Sequence, residues 1–415
     1  MFVERCVAAY VVDSVWPVAL KPKMRTSVMS PPADRIAFNQ PTLQGRELQY
    51  IEDSVAGGHT SASGPYSRRA ADILREATSA EDVLLTTSCT AALEMTGLLL
   101  GLRPGDTVIV PSYTFVTTAL AYARGGAKLL FCDIEPDTLG LDSAHLETLI
   151  DDSVRAVVTV HYAGVGSDLS GIKRVLERHP HVNLVEDNAH GLFGSYQERP
   201  LGSFGRFSTL SFHETKNFVC GEGGALLLND AADVDRAHVL YDKGTNRRAF
   251  LLGEVDKYSW QDMGSSFGLS DTLAAYLYGQ LEQRDTILAK RRAVFERYVG
   301  ALAPHAESHG FQLPTVPRDR EQAYHMFYLL LPDKARRDAT LAHLAEQGVH
   351  ATFHYVPLHS SPGAQPHLAH RTDCPVTDDI SGRLLRLPFH NEMSWPDIER
   401  VVESFLEAQA VLTWP

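Results

Sequence analysis

The sequence predicts an α/β protein: a mostly parallel sheet wrapped by helices on both faces, then a second, smaller α/β domain. Three observations predict it. From about Ala80, short apolar strand-like runs alternate with helix-like runs, as in parallel strands joined by crossover helices. Turn and helix-stop residues punctuate them, as at Gly101-x-x-Pro104-Gly105. Past Ser270 one long helical stretch gives way to shorter elements.

In chain order, strands are expected at Val83–Thr86, Thr107–Pro111, Lys128–Asp133, Ala156–Tyr162, Asn183–Glu186, Ser208–Phe212 and Ala225–Leu228. Helices are expected between them at Ala91–Leu100, Thr117–Ala123, Ser143–Ile150 and Leu169–Arg178. Ser270–Val299 reads as one long helix or two abutting ones, bridging the domains. The second domain is expected to hold strands His325–Leu331 and Val349–Tyr355, with helices Arg336–Glu346, Thr377–Leu384 and Trp395–Ala408. The expected divisions are 1–35 as a disordered extension or an over-early start, 36–280 as the large domain and 281–415 as the small one. Pro17, Pro22, Pro31 and Pro32 break any regular element in the first of these, and Met24 and Met29 are internal start candidates.

The chain has 415 residues, enough for two or three domains at about 100–200 residues each. With 38 basic and 51 acidic residues the formal charge is −13. That argues against a general nucleic-acid binder and leaves room for a local basic pocket. The five cysteines (Cys6, Cys89, Cys132, Cys220 and Cys374) lie far apart with no CxxC spacing, so no zinc knuckle, redox pair or disulfide scaffold is expected. No apolar run reaches the about 18 residues of a membrane helix. The run Cys6–Val12 stops at Asp13 without a convincing cleavage site. A cytoplasmic protein is expected.

Three segments carry candidate chemistry. At Thr86-Thr87-Ser88-Cys89-Thr90-Ala91 a strand ends and a helix begins among small hydroxyl residues. Free N–H groups and the helix dipole there suit a phosphate; a plain N-cap reads the same way. Leu184-Val185-Glu186-Asp187-Asn188-Ala189-His190 puts two carboxylates at the carboxyl end of a parallel strand, the edge where open α/β sheets bind ligands. A carboxylate there pairs with a protonated ring nitrogen, holds a metal, or caps the next helix. Lys216 follows the Ser208–Phe212 strand and precedes Gly221-Glu222-Gly223-Gly224; it reads as a Schiff-base nucleophile or as a surface lysine.

Other motifs fail. Gly264-Ser265-Ser266-Phe267-Gly268 has the GxSxG form but follows a poor strand. Gly164-Val165-Gly166 lacks the later glycine of a dinucleotide fingerprint, and neither GxxxxGK[ST] nor HExxH occurs. His354/His359 and His367/His370 read as loop or core residues, and no metal is expected.

Cradle, acid and lysine, in that order on an α/β sheet, resemble the fold-type-I enzymes that use pyridoxal phosphate. There a lysine binds the cofactor's aldehyde, an acid keeps its ring nitrogen protonated and a cradle anchors its phosphate. Pro111-Ser112-Tyr113-Thr114-Phe115-Val116, Glu186-Asp187-x-Ala189 and Ser211-Phe212-His213-x-Thr215-Lys216-Asn217-x-x-x-Gly221-Glu222-Gly223-Gly224 resemble the DegT/DnrJ/EryC1/StrS sugar aminotransferases over about residues 36–408. Lys243-Gly244-Thr245-Asn246-Arg247, Val255-Asp256-Lys257-Tyr258-x-Trp260 and Gly264-Ser265-Ser266-Phe267 look most like the branch acting at C4 of dTDP-4-keto-6-deoxyglucose. His325-Met326-Phe327-Tyr328 and Phe353-His354-Tyr355-x-Pro357-Leu358-His359 agree with that branch.

The resemblance implies an aspartate aminotransferase-like fold with a seven-stranded sheet and pyridoxal 5′-phosphate as cofactor. It implies L-glutamate as donor, a dTDP-4-keto-6-deoxy sugar as acceptor, and a homodimer with sites at the interface. Lys216 is then the catalytic lysine and Asp187 the partner of the ring nitrogen. Phe115 stacks on the ring, while Ser88, Cys89 (through its backbone), Thr90 and Ser211 hold the phosphate. His213, Asn246, His325 and Tyr328 are the expected substrate residues. His190 stands where the family usually has a glutamine near the ring hydroxyl, so a pH-dependent charge is expected there. Ser266-Phe267-Gly268 replaces the family's N-[YF]-R, and Leu273 a common glutamine. Gly244–Arg247 and Lys257–Ser266 are expected to reach the neighbour's site. The dehydratases of this group carry His in place of the lysine; Lys216 argues against that activity and against a non-catalytic regulator.

Overall fold

The computed structural model describes residues 35–411; the expectation for the N-terminal extension lies outside them, Arg35 excepted. Two helices that the sequence reading leaves unassigned come first, α1 (Glu47–Ala56) and α2 (Pro65–Thr78). Then β1 (Asp82–Thr86), α3 (Cys89–Leu99), β2 (Thr107–Pro111), α4 (Thr117–Arg124), β3 (Lys128–Cys132), α5 (Ser143–Leu149), β4 (Val154–Val160), α6 (Leu169–Leu176) and β5 (Asn183–Asp187) alternate. A short ribbon, β6 (Ser195–Tyr196) and β7 (Arg199–Pro200), precedes the strands β8 (Phe207–Ser211) and β9 (Gly224–Leu228).

The seven long strands form one sheet in the order β1-β9-β8-β5-β4-β2-β3. All run parallel except β9, which is antiparallel to both neighbours. Successive side chains of a strand point to opposite faces, and both faces are covered. Val108 and Val110 belong to one apolar cluster with α3, α4 and α7 (Val234–Tyr241) on the same side of the sheet. Ile109, between them, packs on the other side among residues of α5 and α6. Burial on both sides explains why the central strands are continuously apolar. The sheet thus has the α/β, seven-stranded, mostly parallel form expected from the sequence.

After α8 (Arg247–Leu251), the long helical stretch is two helices, α9 (Asp271–Glu282) and α10 (Arg284–Leu302), parted at Gln283. A short α11 (Ala306–His309) and β10 (Arg320–Glu321), which pairs with β6, lead to β11 (Tyr328–Leu330), α12 (Lys334–Glu346), α13 (Pro375–Arg383), β12 (Leu384–Arg386) and α14 (Trp395–Val411). These C-terminal elements build their own core around Tyr298, Phe327, Leu344, Leu385, Val401 and Phe405.

Three expectations need correction. Val349–Tyr355 is not a strand: it touches its neighbours only through isolated bridges, Ile36↔Val349 and Thr352↔Arg386, and most of it walls a cavity instead. The strand expected at His325–Leu331 starts only at Tyr328, because the carbonyls of Tyr324 and His325 accept from the Arg291 guanidinium at 2.8 and 2.7 Å. β4 stops at Val160, where the chain turns through Ala163 and Gly164 at positive φ.

Candidate active site

A cavity of about 750 Å³ opens at the carboxyl ends of β4, β5 and β8. Its size lies in the upper part of the about 300–1,000 Å³ range usual for ligand sites, and its place is where open parallel sheets bind ligands. Ser88, Cys89, Thr90, Phe115, Asp187, His190, Ser211, His213, Lys216 and His325 all line it. Two expected residues do not. Tyr328 is buried in β11, with its ring against Tyr162. Asn246 precedes α8, its side chain accepting from the Ser259 N–H at 2.8 Å.

The two adjacent carboxylates have separate tasks, since neighbours on a strand face opposite ways. Glu186 is fully buried and accepts from the N–H groups of Gly202, Phe204 and Gly205 at 2.9, 2.6 and 2.7 Å, and it pairs with His161 Nε2 at 2.9 Å. Burial alone would raise its pKa; His161 and the amides outweigh that and hold it below the usual carboxylate range. It anchors the chain between β7 and β8. Asp187 faces the cavity, with Oδ2 accepting from Thr118 Oγ1 at 2.7 Å and Oδ1 from the Ala189 N–H at 3.2 Å. Here burial wins and raises the carboxyl, so a cationic partner inside the cavity would be strongly favoured. Thr118 has no role in the sequence reading; its spacing of four from Thr114 on the first turn of α4, bridged at 2.9 Å, was the available signal.

At the β1–α3 join, Ser88 is a true N-cap, its Oγ accepting from the Ala91 N–H at 3.1 Å. Capping and cradle coexist. Gly224 lies directly beneath: a Cβ there would sit 2.4 Å from the Cys89 nitrogen and from the Ser88 carbonyl carbon. Only glycine lets β9 pass so close to this loop. Cys89, which also lines the cavity, donates from Sγ to Thr209 Oγ1 at 3.5 Å.

Lys216 stands in the turn between β8 and β9. The low-dielectric walls push its amine down to about 8, opposed by Asp187 and reinforced by Arg386. Next to it, Asn217 donates to the Ala323 carbonyl at 2.6 Å and so presents Oδ1 to His325 Nδ1 at 2.9 Å. His325 therefore carries its proton on Nδ1. Its ring stacks on His190, centroids 4.1 Å apart and planes 14° apart. Burial first, then neighbouring cations, holds both imidazoles well below their usual pKa. The expected pH-dependent charge on His190 is thus corrected: it stays neutral at physiological pH. His190 Nδ1 is buried with no hydrogen-bond partner.

The rim is less enclosed. Phe115 is 56% exposed and faces both this cavity and an adjoining apolar groove of about 340 Å³. His213 Nδ1 lies 2.9 Å from Thr215 Oγ1. Arg386 and His354, unassigned in the sequence reading, close the far wall. A lone arginine inside the apolar run Leu384-Leu385-Arg386-Leu387 was the overlooked sign.

The residues present fit a phosphorylated pyridine aldehyde. A capped helix start over a glycine strand, a buried acid seeking a cation, a lysine with a lowered pKa and an unpartnered ring nitrogen surround one cavity. The comparisons with known proteins agree. Residues 41–406 match the model of the DegT/DnrJ/EryC1/StrS aminotransferase family. The spore coat polysaccharide biosynthesis protein SpsC of Bacillus subtilis (strain 168) is 29% identical over 377 residues, covering 89% of this chain and 96% of that protein. The aminotransferase TlmJ from Streptoalloteichus hindustanus is 30% identical, with a TM-score of 0.83 over 91% of this chain and all of that one. The sugar aminotransferase CalS13 from Micromonospora echinospora, at 24% identity, shares the fold with a TM-score of 0.81 over 90% of this chain and 99% of its own. The chain belongs to the DegT/DnrJ/EryC1/StrS aminotransferases, pyridoxal 5′-phosphate enzymes of fold type I.

Proposed function

We propose that the protein moves an amino group from L-glutamate to C4 of dTDP-4-keto-6-deoxyglucose. The observation that carries the transamination is Lys216 and Asp187 lining one cavity that the phosphate cradle also faces. The sugar rests on the stretches around Gly244–Arg247, Val255–Trp260 and Gly264–Phe267, which resemble the C4 branch. Bound in the site, the cofactor supplies an electron sink that acidifies the C–H bond of the attached substrate. The chain does the rest. Asp187, held by Thr118, keeps a positive charge on the ring nitrogen. Ser88, the Cys89 backbone, Thr90 and Ser211 fix the phosphate. Phe115 covers one ring face, and neutral His190 donates to the ring hydroxyl. With the cofactor bound, Lys216, whose amine is lowered to about 8, would move a proton off the donor carbon and onto the cofactor in the first half, and a proton off the cofactor and onto the sugar carbon in the second. His213 and His325 meet the sugar at the cavity wall; Asn246 lies outside this chain's own cavity lining, and Tyr328, buried in β11, meets no substrate.

We read 36–280 and 281–415 as the two domains of a cytoplasmic homodimer. The four described cysteines form no disulfide, and among the described residues no helix is long and apolar enough to cross a membrane. Phe250, Leu251, Leu252, Tyr258, Trp260 and Met263 are exposed on the chain alone, an apolar patch suited to a second copy. That copy brings Asn246 to its neighbour's cavity.

The test is to add L-glutamate carrying a labelled amino nitrogen, with the keto sugar, to the purified enzyme. The label is expected in the sugar product. Label in 2-oxoglutarate-linked exchange without transfer to this sugar would keep the aminotransferase and reject the sugar, pointing to another keto position or nucleotide.

A further inference from the structure

Three contacts fix His325 at the cavity wall. The Arg291 guanidinium grips its backbone, with Nε donating to the Tyr324 carbonyl and Nη2 to the His325 carbonyl. The His190 ring stacks on its ring. Asn217, the residue after Lys216, accepts its Nδ1 proton. The Asn217 amide N–H is spent on the Ala323 carbonyl at 2.6 Å, so Oδ1 faces the imidazole at 2.9 Å. With the proton on Nδ1 of a neutral ring, Nε2 keeps a lone pair and can only accept. That atom has no partner among the described residues, and the ring lines the cavity. His213 makes the contrast. Its Nδ1 accepts from the Thr215 N–H at 3.3 Å, so its proton lies on Nε2, 3.7 Å from Glu222. One wall histidine carries a donor at Nε2, the other an acceptor.

His325 is only 4% exposed, so a substrate filling the cavity displaces the water that Nε2 could bond. An enclosed acceptor left without a donor costs binding, and the ligand that suits it brings an O–H to this point. We propose that His325 Nε2 accepts a hydrogen bond from the C3 hydroxyl of the keto sugar, with Asn217 as its positioning residue. The inference rests on the C4 aminotransferase reading and deepens it, since it names the substrate group that the site selects. Of the two carbons beside C4, C3 carries a hydroxyl, whereas C5 carries the ring oxygen and a methyl group, which cannot donate. The carboxylates of glutamate only accept, so the amino donor does not satisfy Nε2 with them. His325 also stands one ring layer, 4.1 Å, from His190, the residue that donates to the cofactor's ring hydroxyl. That offset suits a substituent next to the reacting carbon rather than the carbon itself.

The experiment gives cofactor-loaded, aminated wild type, His325→Phe and Asn217→Leu two acceptors in turn, dTDP-4-keto-6-deoxyglucose and its 3-deoxy counterpart. The reaction is followed by the cofactor's visible absorbance. Phenylalanine keeps a ring stacked on His190 without the acceptor. Wild type is expected to prefer the hydroxylated sugar in kcat/KM. Divided by the same ratio in H325F, which cancels the intrinsic reactivity of each sugar, the preference should be on the order of 100-fold. N217L frees the ring to carry its proton on either nitrogen and is expected to keep about a tenth of that preference. A merely structural loss would slow both sugars alike and leave the ratio unchanged. The 3-fluoro sugar, which does not donate, should behave like the 3-deoxy one. An equal ratio in wild type and H325F, an unchanged ratio in N217L, or a 3-fluoro sugar used as well as the hydroxylated one overturns the proposal. If H325F fails to fold, N217L and the 3-fluoro sugar decide it by the same outcomes. A wild type that converts glutamate but aminates none of these sugars would defeat the C4 reading and the proposal with it. One inert to glutamate would defeat the aminotransferase reading itself.

Discussion

At the scale of single residues, the site works by setting unequal environments around similar groups. Lys216 and Asp187 are both shifted toward neutrality by enclosure, the amine to about 8 and the carboxyl upward. The first shift gives a kinetic prediction. The reaction of the aminated enzyme with sugar needs a neutral Lys216, so its rate should rise about tenfold per pH unit below about 8 and level off above. A flat profile across that range would show that another group moves the proton. The second shift gives a stability prediction. A carboxyl whose folded pKa is raised costs stability as pH climbs through its ordinary range near about 4, and the full cost remains at neutral pH. Cofactor-free Asp187→Asn should therefore melt higher than cofactor-free wild type at neutral pH, with the difference vanishing in acid, while its cofactor affinity falls. Equal melting at neutral pH would contradict the burial argument. The sequence made Asp187 and Glu186 equal candidates; only the strand's alternation, applied to a known cavity side, separates a ligand-facing acid from a loop anchor. His190 was misjudged for a related reason: burial, which decides its charge, is not written locally.

At the scale of elements, the site depends on two close approaches. One is β9 beneath the β1–α3 loop. Gly224→Ala would force the Cys89 nitrogen and Ser88 carbonyl aside, costing about 1–3 kcal/mol and weakening cofactor binding; equilibrium unfolding and titration with cofactor measure the two effects. The other is the loop held by Glu186. Removing that carboxylate as Glu186→Ala leaves three amides and His161 Nε2 unpaired, and the expected loss is about 3–5 kcal/mol. A loss under about 1 kcal/mol would mean that the loop re-forms its bonds with water. Such elements were readable in sequence where pattern was continuous. Thr107–Pro111 was placed to the residue and Lys128–Cys132 to within one, because strands buried on both faces are uniformly apolar. Val349–Tyr355 looked equally strand-like, yet its backbone pairs only at the isolated bridges to Ile36 and Arg386. α1 and α2 were missed because Glu, Arg, Ser and Thr dilute their apolar faces.

At the scale of the molecule, one sheet with helices on both faces gathers groups from Ser88 to Arg386 into one cavity, which no local reading of the chain could assemble. The exposed apolar segment from Phe250 to Met263 predicts that the purified protein is dimeric, checked by light scattering; a monomer that is fully active would refute a shared site. What remains legible only at this scale is substrate choice, since the catalytic residues would serve any keto sugar able to enter. The most direct test is the proton NMR spectrum of the product formed from dTDP-4-keto-6-deoxyglucose and L-glutamate. The prediction is a C4 amine, its H4 couplings to H3 and H5 large for an equatorial group or small for an axial one. Unaltered keto sugar from enzyme that still converts glutamate would contradict it.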